Sequence, residues 1–205
     1  MPSSAESNFT NFMDTRIVQQ GQALLVFKNI KTEIYGWKLQ GLDSEEPSYE
    51  PLAKLELEAK HFALAPDQKS SVYLTGGGTG SDHDVSLSYV SRLDTEANQW
   101  TKLADMNMAR QNHSAIVQGD RLYVFGGRKN DSLLSSIEFL ELVGGLVWTT
   151  VTENESVKRM SATFFECGPK QIAVFGGLKV ANLKSKDYAP DGYIFDTDSQ
   201  EFKAI

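Results

Sequence analysis

Three histidines, His61, His83 and His113, are the side chains of this 205-residue chain best suited to metal binding or proton transfer. His83 lies between two carboxylates in the run Asp82-His83-Asp84, and carboxylate and imidazole groups both bind cations. We interpret His61 and His113 as equivalent positions of a repeat with a structural role. We expect Asp82-His83-Asp84 to form a solvated turn, so the sequence predicts no metal site.

Two further features resemble reactive or ligand-binding elements but lack their usual companions. Cys167 is the only cysteine, so no intrachain disulfide can form, and no His/Asn pairing nearby marks it as a nucleophile. We expect Cys167 to be a buried structural thiol. The glycine-rich run 76–81 lacks the Lys-Ser/Thr of a phosphate-binding loop and precedes no helical pattern. The sequence therefore predicts no catalytic residue and no cofactor, and we do not expect an enzyme.

The charge balance and the absence of apolar segments limit the class of partner. The chain carries 27 acidic and 20 basic residues, with a formal net charge of −7, whereas a nucleic-acid binder needs a basic face. No basic and apolar leader begins the sequence, and no apolar run approaches the ~18 residues that span a bilayer. A single cysteine without a disulfide suits a reducing compartment. We therefore expect a cytoplasmic protein that binds neither nucleic acid nor membrane.

A double glycine recurs at a constant interval of 50 residues, because 126 − 76 = 50 and 176 − 126 = 50. The pairs are Gly76-Gly77, Gly126-Gly127 and Gly176-Gly177. Each pair follows a short apolar run, and a polar turn separates that run from an earlier one, as in a β-hairpin. A third apolar run follows each pair, and then an aromatic residue: Trp100, Trp148 or Phe202. Four short strands in a unit of this length predict one blade of a β-propeller.

These units resemble the kelch repeat, in which a double glycine follows the second strand and a tryptophan opens the fourth. The resemblance implies an all-β propeller of about four blades, at residues 15–57, 58–107, 108–155 and 156–205. Glycine is expected where a strand end approaches the next blade, because a side chain there would collide with the neighbouring backbone. In the first blade Lys28-Asn29 replaces the glycine pair. We therefore expect that blade to pack less tightly or to lie at an edge.

Four blades leave the closure of the ring open, because propellers of this kind usually have more. The four blades could close alone, with residues 9–13 supplying a missing strand. Two chains could combine into a homo-oligomer. Alternatively, the propeller is incomplete, and a partner in a hetero-complex covers its open apolar face.

The resemblance also implies a function, because loops at one end of such propellers bind partner peptides, often through arginine. Five basic residues lie in connections that should share one end: Arg110, Arg128, Lys129, Lys158 and Arg159. We predict that they contact an acidic segment of another protein, and that the chain is a protein-interaction scaffold. The alternatives are solvated surface charges, an enzyme or small-ligand binder with a site at the channel mouth, and a structural subunit of a larger complex.

Overall fold

The computed structural model describes residues 15–80, 85–144, 147–180 and 187–205. In these residues the chain folds into four antiparallel sheets of four strands each. The first strand of each sheet packs against the first strand of the next, so that the sheets are arranged around a common axis as propeller blades. This arrangement confirms the all-β propeller that the sequence predicts.

The strands follow the chain from the axis outward in every blade. Blade one contains β1 (Thr15–Gln20), β2 (Ala23–Ile30), β3 (Glu33–Gln40) and β4 (Ser48–Leu55). Blade two contains β5 (Ala63–Pro66), β6 (Ser71–Thr75), the ribbon of β7 (Gly78–Thr79) and β8 (Val85–Ser86), then β9 (Val90–Asp94) and β10 (Gln99–Lys102).

The last two blades repeat the pattern of blade two. Blade three contains β11 (Ser114–Gln118), β12 (Arg121–Phe125), the ribbon of β13 (Arg128–Lys129) and β14 (Ser132–Leu133), then β15 (Ser136–Glu141) and β16 (Trp148–Glu153). Blade four contains β17 (Thr163–Gly168), β18 (Gln171–Phe175), β19 (Gly192–Asp196) and β20 (Phe202–Ala204). A single turn of 3-10 helix, Glu155–Val157, lies between them.

Apolar side chains fill the junctions between successive blades. We call the side of a blade that faces the next blade its forward face and the opposite side its rear face. Side chains alternate along a strand, so in β6 the buried Val72 and Leu74 pack backward on blade one, whereas Tyr73 packs forward on blade three. Leu25 and Phe27 of blade one are also fully buried at their junction. The expected loose packing of blade one is therefore wrong on its forward face.

Asn29 explains why blade one tolerates the loss of its glycine pair. A two-residue turn joins β2 directly to β3, so no long loop has to pass over this strand end. The Asn29 side chain donates to the backbone carbonyls of Glu33 (3.3 Å) and Leu57 (3.3 Å), the second of which lies in the segment leading to blade two. An asparagine side chain thus makes the link between blades that glycine backbone makes elsewhere.

The outer tryptophans bind the preceding blade through both their rings and their N–H groups. Trp148 is buried, and its Nε1 donates to the carbonyl of Ala104 in blade two at 2.9 Å. Trp100 makes the same bond to Ala53 of blade one at 2.7 Å. Phe202 lies at the equivalent position in blade four, where it packs against blade three without such a donor. These residues hold the outer edges of the junctions closed.

The first two glycine pairs lie where the backbone of the next blade passes closest. The N–H of Gly77 donates to the Arg110 carbonyl (2.9 Å), and the N–H of Gly127 donates to the Arg159 carbonyl (2.9 Å). A Cβ on Gly76 would overlap the Arg110 carbonyl oxygen, and one on Gly126 would overlap the Val157 carbonyl oxygen. A Cβ on Gly176, in contrast, would meet no atom within 4 Å. Within the described residues no backbone of a further blade therefore passes over Gly176, whereas Gly177 still lies close to the Met160 carbonyl of its own blade.

The two terminal faces of the propeller are uncovered in the described residues. Phe125 on the forward face of blade three is 1% exposed, whereas its equivalent Phe175 in blade four is 40% exposed. Phe165 on the same face is 45% exposed and stacks on Phe175 with 5.9 Å between ring centroids. Within the described residues the four blades thus form an open arc. Residues 9–13, proposed as a closing strand, lie outside those residues.

The expectation that Cys167 is a buried structural thiol is wrong, because this residue is exposed. It lies near the end of β17, where the register with β18 shifts between Glu166 and Gly168. The sequence pattern could not show this, because burial there depends on whether a further blade covers blade four.

A matched pair of alanine substitutions tests the close approach at the glycine pairs. Gly126 and Gly176 both have positive φ (54° and 65°), so alanine introduces similar backbone strain, about 1–2 kcal/mol, at either position. Only Gly126→Ala also collides with the next blade, so we expect it to lower the free energy of unfolding by at least about 1–3 kcal/mol more. Urea denaturation in dilute solution measures the difference, and equal losses would contradict the assigned role.

Candidate partner-binding site

The loops of one propeller end bring together all five basic residues singled out in the sequence. The connections after β6, β12 and β18 lie beside the segments that lead into β11 and β17, as the hydrogen bonds of Gly77 and Gly127 show. We call this end the glycine end. The five side chains lie in loops of this end but differ in burial and in what they contact.

Arg110 is fully buried and serves as a cross-link within blade three. Its guanidinium donates to the carbonyl of Gly126 (2.8 Å), to Ser136 Oγ (3.0 Å) and to the buried carboxylate of Glu138. Glu138 also accepts from the backbone N–H of Asn107 at 2.8 Å. Burial lowers the pKa of Arg110 below its ordinary value, while Glu138 opposes that change. The predicted partner contact has no physical access to this side chain.

Arg159 occupies the equivalent place in blade four and is also buried. It donates to the Gly176 carbonyl (3.0 Å) and to Asp191 Oδ1 (3.1 Å), and its guanidinium lies 5.5 Å from the ring centroid of Tyr193. Burial raises the pKa of Asp191, but hydrogen bonds from Tyr193, Arg159 and Lys179 outweigh it and hold that pKa well below its usual range. Arg159 therefore organises the loop as a fixed ion pair.

Arg128 is almost completely buried at the start of the ribbon in blade three. Its two terminal nitrogens donate to the carbonyl of Asn130 (3.0 Å) and to Gln111 Oε1 (3.3 Å). The backbone of Arg128 also pairs with that of Gln111 in both directions at 2.9 Å. Its charge thus lies close to the glycine end, but its donors are directed into the loop that it shapes.

Lys129 and Lys158 are the two predicted residues that reach solvent. Lys129 is exposed on β13, and within the described chain its ammonium group has no hydrogen-bond or ion-pair partner. Lys158 is exposed too and lies 3.0 Å from Glu155, one turn earlier. These two side chains, unlike the three arginines, are free to change partner.

A groove separates the loops of blades three and four beside Lys158. It has a volume of about 400 Å³, and its walls include Leu133, Lys158 and Lys179, with Asp191 and Tyr193 beneath. Lys179 is half-exposed and pairs with Asp191 at 3.2 Å. Sequence reasoning missed Lys179, although its place two residues after the glycine pair, the position of Lys129 in the preceding unit, was a usable signal.

The two histidines that the sequence presents as equivalent are offset by one residue. The backbone bridges at the start of each blade align Lys60 with Gln111, so His61 is equivalent to Asn112 rather than to His113. His61 and Asn112 share a positive φ (56° and 51°), and the Asn112 N–H donates to the His61 carbonyl at 2.9 Å. The correction follows from backbone register, which similar apolar runs leave ambiguous by one position.

His113 is buried between blades two and three rather than available for chemistry. Its Nε2 lies 2.7 Å from Thr75 Oγ1, and its Nδ1 has no partner within the described structure. Burial lowers the pKa of His113 well below its ordinary value, and the nearby positive charges of Arg110 and Arg16 lower it further. The ring is therefore neutral in the folded protein near pH 7.

The described residues contain neither a cluster of metal-ligating side chains nor a membrane-spanning helix. No group of three His, Cys, Asp or Glu side chains in the described ranges could hold a metal ion. The run Asp82-His83-Asp84 lies outside the described residues. Among the described segments there is also no helix with the length and apolar character needed to cross a bilayer.

Four-stranded blades linked by a glycine pair and an outer aromatic define a repeat propeller. Comparison with known proteins identifies the repeat family. Residues 45–205 match the family model described as the KLHDC2/KLHL20/DRC7 Kelch-repeats domain. The match spans most of the chain and the three blades with glycine pairs. The chain belongs to the kelch-repeat family.

Curated relatives match shorter stretches. The chain is 35% identical to beta-scruin of Limulus polyphemus over 88 residues, which cover 40% of this chain and 9% of beta-scruin. It is 33% identical over 115 residues to a RING finger domain and kelch repeat-containing protein of Dictyostelium discoideum, covering 55% of this chain and 11% of that protein. The matches thus span about a tenth of the length of these relatives.

A solved structure supports the same fold. The structure of YjhT is similar with a TM-score of 0.76 at 13% sequence identity, and the match covers 94% of this chain and 65% of that one. At this identity the likeness shows the fold alone. The YjhT chain extends well beyond the part matched by this arc of four blades.

Removing one member of the buried ion pair should be far more costly than removing an exposed one. Arg110→Met leaves the Glu138 carboxylate buried without its counter-ion, so we expect the free energy of unfolding to fall by about 3–5 kcal/mol. Lys158→Met removes only an exposed partner of Glu155 and should cost less than about 1 kcal/mol. Guanidinium denaturation of both variants measures this, and similar small losses would refute the structural role of Arg110.

The buried His113 should make the protein sensitive to mild acid. The folded state holds the pKa of His113 well below 6.5, so the unfolded chain binds the proton more readily and stability falls as pH drops below about 6.5. His113→Gln should flatten the slope of unfolding free energy between about pH 7 and 5, by at most about 1.4 kcal/mol per pH unit. Denaturant titrations at several pH values measure the slope. Equal slopes in both proteins would contradict the burial of a neutral ring.

Proposed function

We propose that this kelch-repeat chain is a non-catalytic protein-interaction scaffold whose glycine end binds an acidic segment of a partner protein. The observation that carries the proposal is the groove between the loops of blades three and four, with the exposed amines of Lys158 and Lys179 on its walls. Lys129 extends the positive charge along the neighbouring ribbon.

The buried arginines support this function indirectly, because they make the loops rigid. Arg159 holds the Gly176 carbonyl and Asp191 together beneath the groove, and Arg128 holds the ribbon that carries Lys129. A loop already fixed in its bound shape loses less conformational entropy when a partner docks. The three arginines thus act as positioning residues, and the exposed lysines supply the contacts.

The exposed ion pairs at the groove suit exchange with a partner. Lys158 pairs with Glu155 through two solvent-exposed side chains, an arrangement that contributes less than about 1 kcal/mol. A carboxylate from a partner could therefore replace Glu155 at little cost. Lys129 needs no such exchange, because no partner within the described residues engages it. An extended acidic peptide along the groove would meet the amines of Lys158 and Lys179, and a peptide that continued along the ribbon would meet that of Lys129.

The environment of the protein is part of the same proposal. Cys167 is exposed, and a free surface thiol is stable to oxidation in a reducing compartment. We therefore place the scaffold in the cytoplasm, where its partner would be another soluble protein.

Charge reversal at the exposed lysines tests the proposed surface. Lys129→Glu combined with Lys158→Glu should weaken binding of a fluorescein-labelled glutamate-rich peptide by at least about tenfold, because attraction becomes repulsion. Fluorescence anisotropy measures the affinity, and circular dichroism should show an unchanged fold because both side chains are exposed.

The control reverses a lysine at the opposite end of the propeller. Lys170 lies in the hairpin between β17 and β18, is as exposed as the test residues, and pairs with Asp198. Lys170→Glu should leave peptide binding unchanged. Equal affinities for the wild type and the double variant, or an equal loss in the Lys170 variant, would show that the glycine end is not the binding surface.

A further inference from the structure

The end of the propeller opposite the glycine end carries two grooves that adjoin at one turn. We call this end the hairpin end, because the turns that follow β5, β11 and β17 lie there. The first groove, of about 490 Å³, lies between blades two and three, and the second, of about 470 Å³, lies between blades three and four. Both grooves have Gly119, Asp120 and Glu166 in their walls. They are therefore neighbours at the internal junctions of the arc.

The outer turn of blade three departs from the repeat beside the first groove. In blades two and four the equivalent turn begins with Thr95 or Thr197, whose hydroxyl donates to a carbonyl of the inner hairpin at 3.0 or 3.2 Å. In blade three Leu142 takes this place, and its N–H still donates to the Asp120 carbonyl at 2.8 Å. Val143 follows and is 75% exposed. Blade three thus presents apolar side chains where its neighbours have polar ones, a feature typical of interaction surfaces.

One wall of the first groove is apolar. It is formed by side chains of both blades that border the groove, namely Tyr73, Val117, Leu142 and Val143. Tyr73 is 5% exposed and packs forward on blade three, so this wall is held by the junction itself. The first groove can therefore receive an aliphatic side chain on a surface that is already formed.

Most of the cations in the groove walls are already neutralised by carboxylates of their own blades. The three ion pairs are Arg92 with Asp94 (3.2 Å), Arg121 with Glu141 (2.8 Å), and Lys170 with Asp198. Lys69 has no ion-pair partner within the described residues, but it lies in the same hairpin as Asp67, so the two charges offset each other. The basic side chains of this end therefore supply little net positive charge.

The carboxylates of Asp120 and Glu166, in contrast, have no cation beside them in the described part of the chain. Both side chains are exposed. The Glu166 carboxylate accepts one long contact of 3.5 Å from the amide nitrogen of Gln118, and that of Asp120 has no hydrogen-bond or ion-pair partner there. Negative charge is thus in excess where the two grooves adjoin, which attracts cations and repels phosphate groups.

Gln118 adds an acceptor in the wall of the second groove. This side chain is 8% exposed, and its amide nitrogen donates to the carbonyls of Gly168 (3.3 Å) and Gln171 (3.2 Å). Its amide oxygen has no hydrogen-bond donor within the described structure. A buried acceptor without a donor is costly, so a ligand that brings an N–H group into the second groove is favoured.

We propose that the hairpin end binds an extended segment of another protein in which an aliphatic residue lies close to a lysine or arginine. The aliphatic side chain enters the first groove against Val117, Leu142 and Val143. The cationic side chain enters the second groove, where it meets Asp120 and Glu166 and supplies the donor that Gln118 lacks. This surface lies opposite the proposed acidic-peptide site, so both ends of the propeller can be occupied at once.

Isothermal titration calorimetry with a lysine-rich peptide that contains one leucine tests the charged part of the surface. Asp120→Asn combined with Glu166→Gln should weaken binding at least about tenfold, because both carboxylates that face the cation are lost. The control is Glu96→Gln combined with Glu201→Gln, which removes the same charge from exposed residues of the same end outside both grooves. The control should weaken binding less than about twofold, because salt screens distant charges.

The apolar part is tested by changing Val143 and the peptide together. Val143→Ser, or serine in place of the leucine in the peptide, should each weaken binding about three- to tenfold through lost apolar contact. The two changes combined should cost little more than either alone, because they remove the same contact. Val85→Ser changes an exposed valine on the ribbon at the glycine end and should have no effect.

Three results would overturn the proposal. These are no measurable binding to the wild type, an equal loss in the two carboxylate pairs, and fully additive losses for Val143 and the leucine. Circular dichroism should show the native fold in every variant, because all the altered side chains are exposed. The glutamate-rich peptide and the lysines of the glycine end take no part in these measurements, so failure here leaves the proposed function to its own test.

Discussion

The close passage of one blade's backbone over the glycine pair of the blade before it is the interaction on which the rest of this protein depends. At Gly126 the carbonyls of Val157 and Arg159 lie where any side chain would stand. Because the backbones approach this closely, the N–H of Gly127 finds an acceptor and the apolar strands beside it exclude water. The interval of 50 residues is thus the spacing between successive contacts of this kind.

That contact also determines which polar residues serve structure and which serve the surface. The backbone carbonyls at the glycine pairs need donors, and the buried side chains of Arg110 and Arg159 donate to those of Gly126 and Gly176. Both residues look like surface charges in the sequence, since each lies in a polar connection. The exposed positive charge at the glycine end comes from lysines. Their long flexible side chains suit exchangeable contacts better than fixed ones.

Much of the fold could be predicted because the same sequence features, with the same physical causes, recur in three units. The glycine pairs, the outer aromatics and the polar turns each indicate one element of a blade, and all agree. Errors arose where a position depends on register or on a neighbour. His61 was matched to His113 instead of Asn112, and Tyr49 was not recognised as the outer aromatic of blade one, because cross-strand pairing is not visible in the chain itself.

The sequence by itself determined the kelch-repeat architecture, the order of strands within each blade and the end of the propeller where the basic residues meet. Only the tertiary structure decided which of those residues are reachable, since burial of Arg110 and exposure of Lys129 follow from how neighbouring blades pack. It also distinguished Phe125 from Phe175, two phenylalanines in the same local pattern. The physical reason is that the residue pattern of a strand encodes which of its faces is apolar, whereas the residues that cover that face are encoded elsewhere.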